Sequence, residues 1–227
     1  GRLTWPDGAR YQGQFVANCI EGRGHKELAD GSWFEGLFHD GEIEGHGTYH
    51  WADGTSFEGL WHNSEIVGPG CHRFPDGMLI TGVFEDRGAT GEGTKRWVSG
   101  CSYTGTLLHN QIHRYGHLKW PDGRTYVGHF EDEAMHGEGT LTWTDQDGLC
   151  RYKGCFERNL FEGEGVLEWS SKARYKGQFC GGQYHGRGTF EWPHGHNVYR
   201  GDWVHGEMCG RGVLTLGADA GGKKLEV

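Results

Sequence analysis

The stretch Phe34-Glu35-Gly36-Leu37-Phe38-His39-Asp40-Gly41-Glu42-Ile43-Glu44-Gly45-His46-Gly47-Thr48-Tyr49-His50-Trp51-Ala52-Asp53-Gly54 decides the fold, because Phe57-Glu58-Gly59-Leu60-Trp61 begins the same phrase again 23 residues later. Outward from it, the opening aromatic position recurs as Tyr11, Phe34, Phe57, Ile80, Tyr103 and Tyr126, then as Tyr152, Tyr175 and Tyr199 after slips of three residues and of one. Self-similarity at 20 to 50 residues is the mark of a repeat architecture, since one such unit is too small to bury its apolar face alone. The array spans 1–216, with repeats starting near 11, 34, 57, 80, 103, 126, 152, 175 and 199. Trp5 occupies the last aromatic position of a partial copy ahead of the first. Residues 217–227 leave the pattern and read as a C-terminal tail or an expression remnant. The start in mid-motif, without methionine, reads as a segment excised from a longer protein.

Strand alternation and turn chemistry turn this period into an architecture. Residues i, i+2 and i+4 of a strand share one face. Pro-Asp-Gly, as in Trp5-Pro6-Asp7-Gly8 and Trp120-Pro121-Asp122-Gly123, suits a three-residue hairpin loop: a type I turn followed by a glycine in the left-handed region. A loop of odd length pairs Tyr49 with Phe57, Gly47 with Gly59 and Gly45 with Trp61, so that all the aromatics lie on one face. The expected fold is all-β: an elongated, twisted, single-layer antiparallel sheet of tandem hairpins. A large ring lies across neighbouring backbone only where no side chain stands up, so Gly36, Gly45, Gly47, Gly59, Gly128, Gly137 and Gly139 are expected to seat rings, with Trp61 over Gly45. Only the fifth repeat breaks the Gly-x-Gly pairs, with Arg114 before Gly116.

Composition narrows the function classes. The chain has 227 residues with 43 glycines, ten tryptophans and a formal charge of −9. That charge argues against a nucleic-acid partner and disfavours an anionic membrane, both of which need clustered Lys and Arg. No run approaches the ~20 apolar residues of a membrane helix, and the expected location is cytoplasmic. Seven scattered cysteines without a C-x-x-C pair fit reduced thiols. Among fifteen histidines, His194 and His196 flank a turn glycine and His46 and His50 share a strand face. Neither pair reaches the three or four converging ligands of a zinc site, so no metal and no cofactor is expected. Gly88 to Lys95 ends Gly-Thr-Lys where a phosphate loop needs Gly-Lys-Thr, and it sits on the repeat period. Scattered Ser, His and Asp residues form no nucleophile motif, so no catalytic residue is expected.

The pattern Tyr-x-Gly-x-Trp/Phe, a variable stretch, Gly-x-Gly and an Asp-Gly turn resembles the MORN repeat, as in Tyr126-Val127-Gly128-His129-Phe130 followed by His136-Gly137-Glu138-Gly139-Thr140. The resemblance implies scaffolds of the cytoskeleton and cilium, adaptors for myosin tails, membrane tethers, or appendages of lipid kinases and lysine methyltransferases. Departures lie in the middle: Ile80 replaces the anchor ring, Leu107 the second aromatic, Asp145 to Gly148 lengthen a turn, and Ser170-Ser171-Lys172-Ala173 lacks the turn glycine.

These readings lead to a non-catalytic scaffold or adaptor whose aromatic groove binds a segment of a cytoskeletal, motor or ciliary partner. The groove-lining candidates are Trp51, Trp61, Phe84, Trp97, Trp120, Phe130 and Trp143, with Ile43, Ile66, Ile112 and Met135 as a rail beside them. The rivals are a phospholipid-associating tether and an accessory domain of a larger enzyme. Open sheet edges predict a homodimer. The residue after each anchor runs from Gln12, Glu35 and Glu58 to Lys153, Lys176 and Arg200, a polarised strip on the opposite face.

Overall fold

The computed structural model describes residues 1–85, 88–193, 197–217 and 223–226. The chain forms two compact units, Gly1–Ile112 and His113–Val227. Unit 1 carries β1 (Arg2–Thr4), β2 (Arg10–Val16), β3 (Cys19–Glu27), β4 (Trp33–His39), β5 (Glu42–His50), β6 (Ser56–His62), β7 (Glu65–Arg73), β8 (Leu79–Glu85), β9 (Gly88–Arg96) and β10 (Ser102–Leu108). Strand β11 (Gln111–Lys119) opens at the end of unit 1, and unit 2 continues with β12 (Thr125–Glu131), β13 (Ala134–Asp145), β14 (Gly148–Glu157), β15 (Leu160–Glu168), β16 (Arg174–Cys180), β17 (Gln183–Glu191), β18 (Asn197–Val204), β19 (Glu207–Leu216) and β20 (Lys224–Glu226). In each unit every strand pairs antiparallel with its sequence neighbour, giving a meander one layer thick. The segment 224–226, outside the repeat pattern, adds β20 to the edge of β19.

Two kinds of turn alternate, and each is dictated by local chemistry. Between repeats the expected three-residue loop forms: the Gly54 N–H donates to the Trp51 carbonyl at 3.0 Å and the Trp51 N–H to the Thr55 carbonyl at 2.9 Å. The Asp53 carboxylate accepts from the Thr55 N–H at 2.8 Å, as Asp7, Asp30, Asp76 and Asp122 do for the residue two places on. Those backbone donors hold the Asp53 and Asp122 carboxyls below the usual range. Where glycine is missing, Lys172 takes the left-handed conformation at φ 71° and keeps the same turn. Within a repeat the strands are joined by two residues of positive φ, such as Asp40-Gly41, Asn63-Ser64 and Arg158-Asn159. This is the twist-matched hairpin turn. Its second N–H reaches back one repeat: Ser64 donates to the Ile43 carbonyl and Asn159 to the Met135 carbonyl. These turns are thereby fastened to the preceding repeat.

The register is as expected, with Gly45 opposite Trp61, Gly47 opposite Gly59 and Tyr49 opposite Phe57. The seating of the rings is different. Trp61 does not cover Gly45; the anchor ring covers two other glycines, one on its own strand and one on the next. A Cβ on Gly36 or Gly47 would stand 2.5 or 2.2 Å from Phe34 Cζ, and one on Gly128 or Gly139 would stand 2.4 Å from the Tyr126 hydroxyl. The first glycine of each Gly-x-Gly pair has another task. Gly45 and Gly137 sit at φ 72° and 63°, where their strand bulges against its partner. Arg114 fills that bulge position in the fifth repeat at φ 54°.

The bulge frees a carbonyl, and the tyrosine anchors use it. Tyr126, Tyr152 and Tyr175 each donate their hydroxyl at 2.9 Å to the carbonyl three residues on, those of His129, Cys155 and Gln178. Anchor rings are at most 2 % exposed because they pack edge to face against the second aromatics of their own and the following repeat. Tyr152 meets Phe156 and Phe179 at 5.1 and 5.0 Å with the planes 89° and 86° apart. Such pairs contribute roughly 0.5–1.5 kcal/mol beyond area burial. A single layer therefore makes its own core: the rings cover one another.

Candidate functional site

The ring-bearing face of each unit holds five columns, of which two are buried. The anchors and the second aromatics form the core just described. The expectation of an open stripe fails for Trp61, Phe84 and Phe130, and also for Ile112 and Met135, all of which are buried. The tryptophan column ahead of each turn is half-buried, and Trp51, Trp97, Trp120 and Trp143 keep an accessible side. Ile43 and Ile66 are half-buried as well, opposite Phe38 and Trp61.

A fifth column, fifteen residues after each anchor, went unread in the sequence apart from Tyr49. It consists of Lys26, Tyr49, His72 and Lys95 in unit 1 and of Leu118, Leu141, Leu167, Phe190 and Leu214 in unit 2. Its parity matches that of the tryptophans two places on, which was the available signal. In unit 2 these groups are aliphatic or aromatic, and a smaller concavity of about 420 Å³ opens beside Trp192, Tyr199, Met208 and Leu214. In unit 1 they place polar atoms among rings, and a concavity of about 680 Å³ opens there, lined by Tyr49, Trp51, Trp61, Ile66, His72 and Phe84, with Ser64, Glu65, Glu85, Gly88 and Asn110.

Four of the sequence candidates, Trp51, Trp61, Ile66 and Phe84, meet at this concavity. Ile43, Trp97, Ile112, Trp120, Phe130, Met135 and Trp143 do not line it. The walls are tilted rings: Tyr49 lies 4.8 Å from Trp51 and 5.8 Å from Trp61, and Trp51 lies 5.6 Å from His72. The His72 Nε2 is buried with no hydrogen-bond partner, and burial holds its pKa below the usual value, opposed by the nearby Asp53 charge. It is therefore neutral at pH 7. Elsewhere in the column the ring faces already carry cations. Lys26 Nζ lies 5.4 Å from the Trp5 centroid, Lys95 Nζ 5.3 Å from Trp97, and the Arg124 guanidinium 5.2 Å from Trp120.

The opposite face carries the polarised strip. In unit 2 it forms a concavity of about 1080 Å³ with Lys176, Arg187, Arg200 and Arg211, interleaved with Glu164, Asp202 and Glu226. In unit 1 the corresponding hollow is lined by Gln12, Glu35 and Glu58 with His25, His46 and His50. His50 stacks on Trp33 at 3.9 Å. Among the described residues no group of three or more His, Cys, Asp and Glu is placed to hold a metal, and no helix is long and apolar enough to cross a membrane; His194 and His196 lie outside the described residues. The seven cysteines are unpaired. Gly88 to Lys95 is part of strand β9, paired with β8 and β10, and not a phosphate-binding loop.

Comparison with known proteins agrees with the repeat geometry. The MORN repeat model matches residues 1–10, 11–33, 34–56, 57–79, 103–123, 126–148, 152–174, 175–196 and 199–217. The unmatched interval 80–102 contains the Ile80 copy, which nonetheless forms the β8–β9 hairpin. No curated protein matches the chain. Among solved structures, the Drosophila melanogaster SAS-4 TCP domain in complex with a proline-rich motif of Ana2 is 10% identical with a TM-score of 0.32, over 82% of this chain and 87% of that one. A catalytically inactive virginiamycin B lyase from Staphylococcus aureus with quinupristin is 12% identical with a TM-score of 0.16, over 96% and 74%. At those scores neither bears on function. MORN repeats are generally protein- or membrane-interaction modules, and the family is typically non-catalytic. By its nine matched segments and its ring-on-glycine hairpins, this chain belongs to the MORN-repeat family.

Proposed function

We propose that the chain is a non-catalytic scaffold or adaptor that holds a segment of a cytoskeletal, motor or ciliary partner in the aromatic groove of unit 1. The observation that carries the reading is the concavity around Trp51, Ile66 and His72, where half-buried rings stand open. Exposed aromatic surface of this kind marks interaction sites, and tryptophan and tyrosine supply most of the binding energy at such anchors. The buried rings, Trp61 and Phe84 among them, form the floor and hold the groove in shape. Cytoplasmic residence and self-association through a free sheet edge belong to the same proposal.

Proximity labelling in cells with the wild-type chain and with Ile66→Asp tests it. The reading expects cytoskeletal or ciliary neighbours that disappear with the variant while its thermal melt stays cooperative. Neighbours unchanged by a folded Ile66→Asp protein contradict it. A second reading, a tether to acidic phospholipid, draws on the basic concavity of unit 2. Flotation with acidic liposomes at physiological salt separates the two, since the net charge of −9 predicts no binding.

A further inference from the structure

We infer that the groove of unit 1 is a seat for a cation, the lysine or arginine side chain of a partner segment, held over the Trp51 ring. The inference rests on the groove reading above and names what enters it. Its first support is internal precedent. Three tryptophans of the same column, Trp5, Trp97 and Trp120, have a Lys or Arg of this chain over the ring at 5.2 to 5.4 Å. A cation within about 6 Å of an indole centroid is attracted by the negative face of the ring.

Among the described residues no Lys or Arg lies over Trp51. His72 stands twenty-one residues after Trp51 just as Lys26 stands after Trp5, so the position that supplies a cation in the earlier copy supplies an imidazole here. That imidazole is neutral at pH 7, since burial disfavours its charged form, and it does not repel an incoming cation. Glu65 and Glu85 are at the rim of the same concavity and give it acidic character. The Tyr49 ring is tilted by 47° to Trp51 and by 38° to Trp61, so the rings present faces in different directions. Among the described residues, Lys95 is directed elsewhere in this chain, its Nζ donating to the Asn110 carbonyl at 3.3 Å.

Short random peptides displayed on phage and selected on the full chain test the inference. The expected binders depend on the groove, losing affinity to Ile66→Asp, or to Ile66→Ser where the first variant melts early. They carry a Lys or Arg whose replacement by norleucine or citrulline weakens binding about tenfold. Against the Glu65→Gln/Glu85→Gln protein, both positions being exposed, the same replacement costs less than about threefold. Groove-dependent peptides that keep their affinity after the replacement overturn the cation seat and leave the groove reading standing. Peptides indifferent to the Ile66 variants, or a selection with no binder, overturn both.

Discussion

Unit 1 and unit 2 are built from the same repeat, yet their ring stacks differ in continuity. In unit 2 the edge-to-face series runs unbroken from Phe130 through Tyr126, Phe156, Tyr152, Phe179, Tyr175 and Trp203 to Tyr199. In unit 1 it runs from Phe15 to Phe84 and stops, because Ile80 has no ring to offer Leu107. Unit 2 also anchors with tyrosine throughout, whereas Phe34 and Phe57 lack a hydroxyl for the bulge carbonyl. The fifteenth-residue column is apolar in unit 2 and mixed in unit 1. Unit 2 is thus the more continuously stacked region, although the Trp203 Nε1 is buried there without a hydrogen-bond partner and its unit 1 equivalent, Trp61 Nε1, donates to the Gly47 carbonyl. Unit 1 gives up some internal packing, and its groove opens where it does so.

The comparison breaks most visibly at a ring seat. Gly139→Val is expected to cost about 3 kcal/mol or more, since the new side chain would occupy the Tyr126 ring position. Urea denaturation followed by circular dichroism measures it. Alkaline titration comes next. Burial pushes the Tyr103 and Tyr175 hydroxyls up to about 12, and those of Tyr126 and Tyr152 higher still. A folded-state pKa raised above the ordinary ~10 of an unfolded tyrosine gives stability that is whole below pH ~10 and is lost as pH rises through the folded value. Unit 2, richer in buried tyrosine, is therefore expected to loosen first between pH 10 and 12, as seen by hydrogen exchange of β14–β17 against β4–β7. The opposite order would count against the comparison.

Much of this was legible in the sequence. The odd length of the Ala52-Asp53-Gly54 loop dictates the pairing of Tyr49 with Phe57. The division of labour within Gly-x-Gly was not read, because a bulge and a ring seat both demand glycine. Arg114 held the clue: it replaces a bulge glycine, where left-handed backbone is enough, while second glycines such as Gly139 and Gly165 admit no side chain under a ring. The burial of Trp61, Phe84, Phe130, Ile112 and Met135 was missed for another reason. A one-layer sheet has no second layer to cover it, and the alternation pattern says nothing of rings covering rings. The groove was half-legible: Trp51 and Ile66 were named, but the column that shapes it, Tyr49 and His72, carries no motif.

Smaller effects sharpen the account. Tyr126→Phe removes the bond to the His129 carbonyl and imitates a unit 1 anchor; about 1 kcal/mol of destabilisation is expected from chemical denaturation. Lys172→Gly relieves a side chain held at φ 71° and is expected to stabilise by about 0.5–1 kcal/mol in the same assay.

The central claim is that an aromatic anchor lying on bare backbone forms the core of every repeat except the one anchored by Ile80, and unit 1 therefore contains its own control. A Cβ at Gly59 would meet Phe57 Cζ at 2.6 Å and the Gly70 Cα at 2.9 Å, whereas at Gly82, beside Ile80, the nearest atom is 3.4 Å away. Equilibrium urea unfolding of Gly59→Ala and Gly82→Ala, side by side, is the direct measurement. The account predicts a loss of about 2 kcal/mol or more for the first and a change within about 0.5 kcal/mol for the second. Equal losses for the two, or a neutral Gly59→Ala, would contradict it.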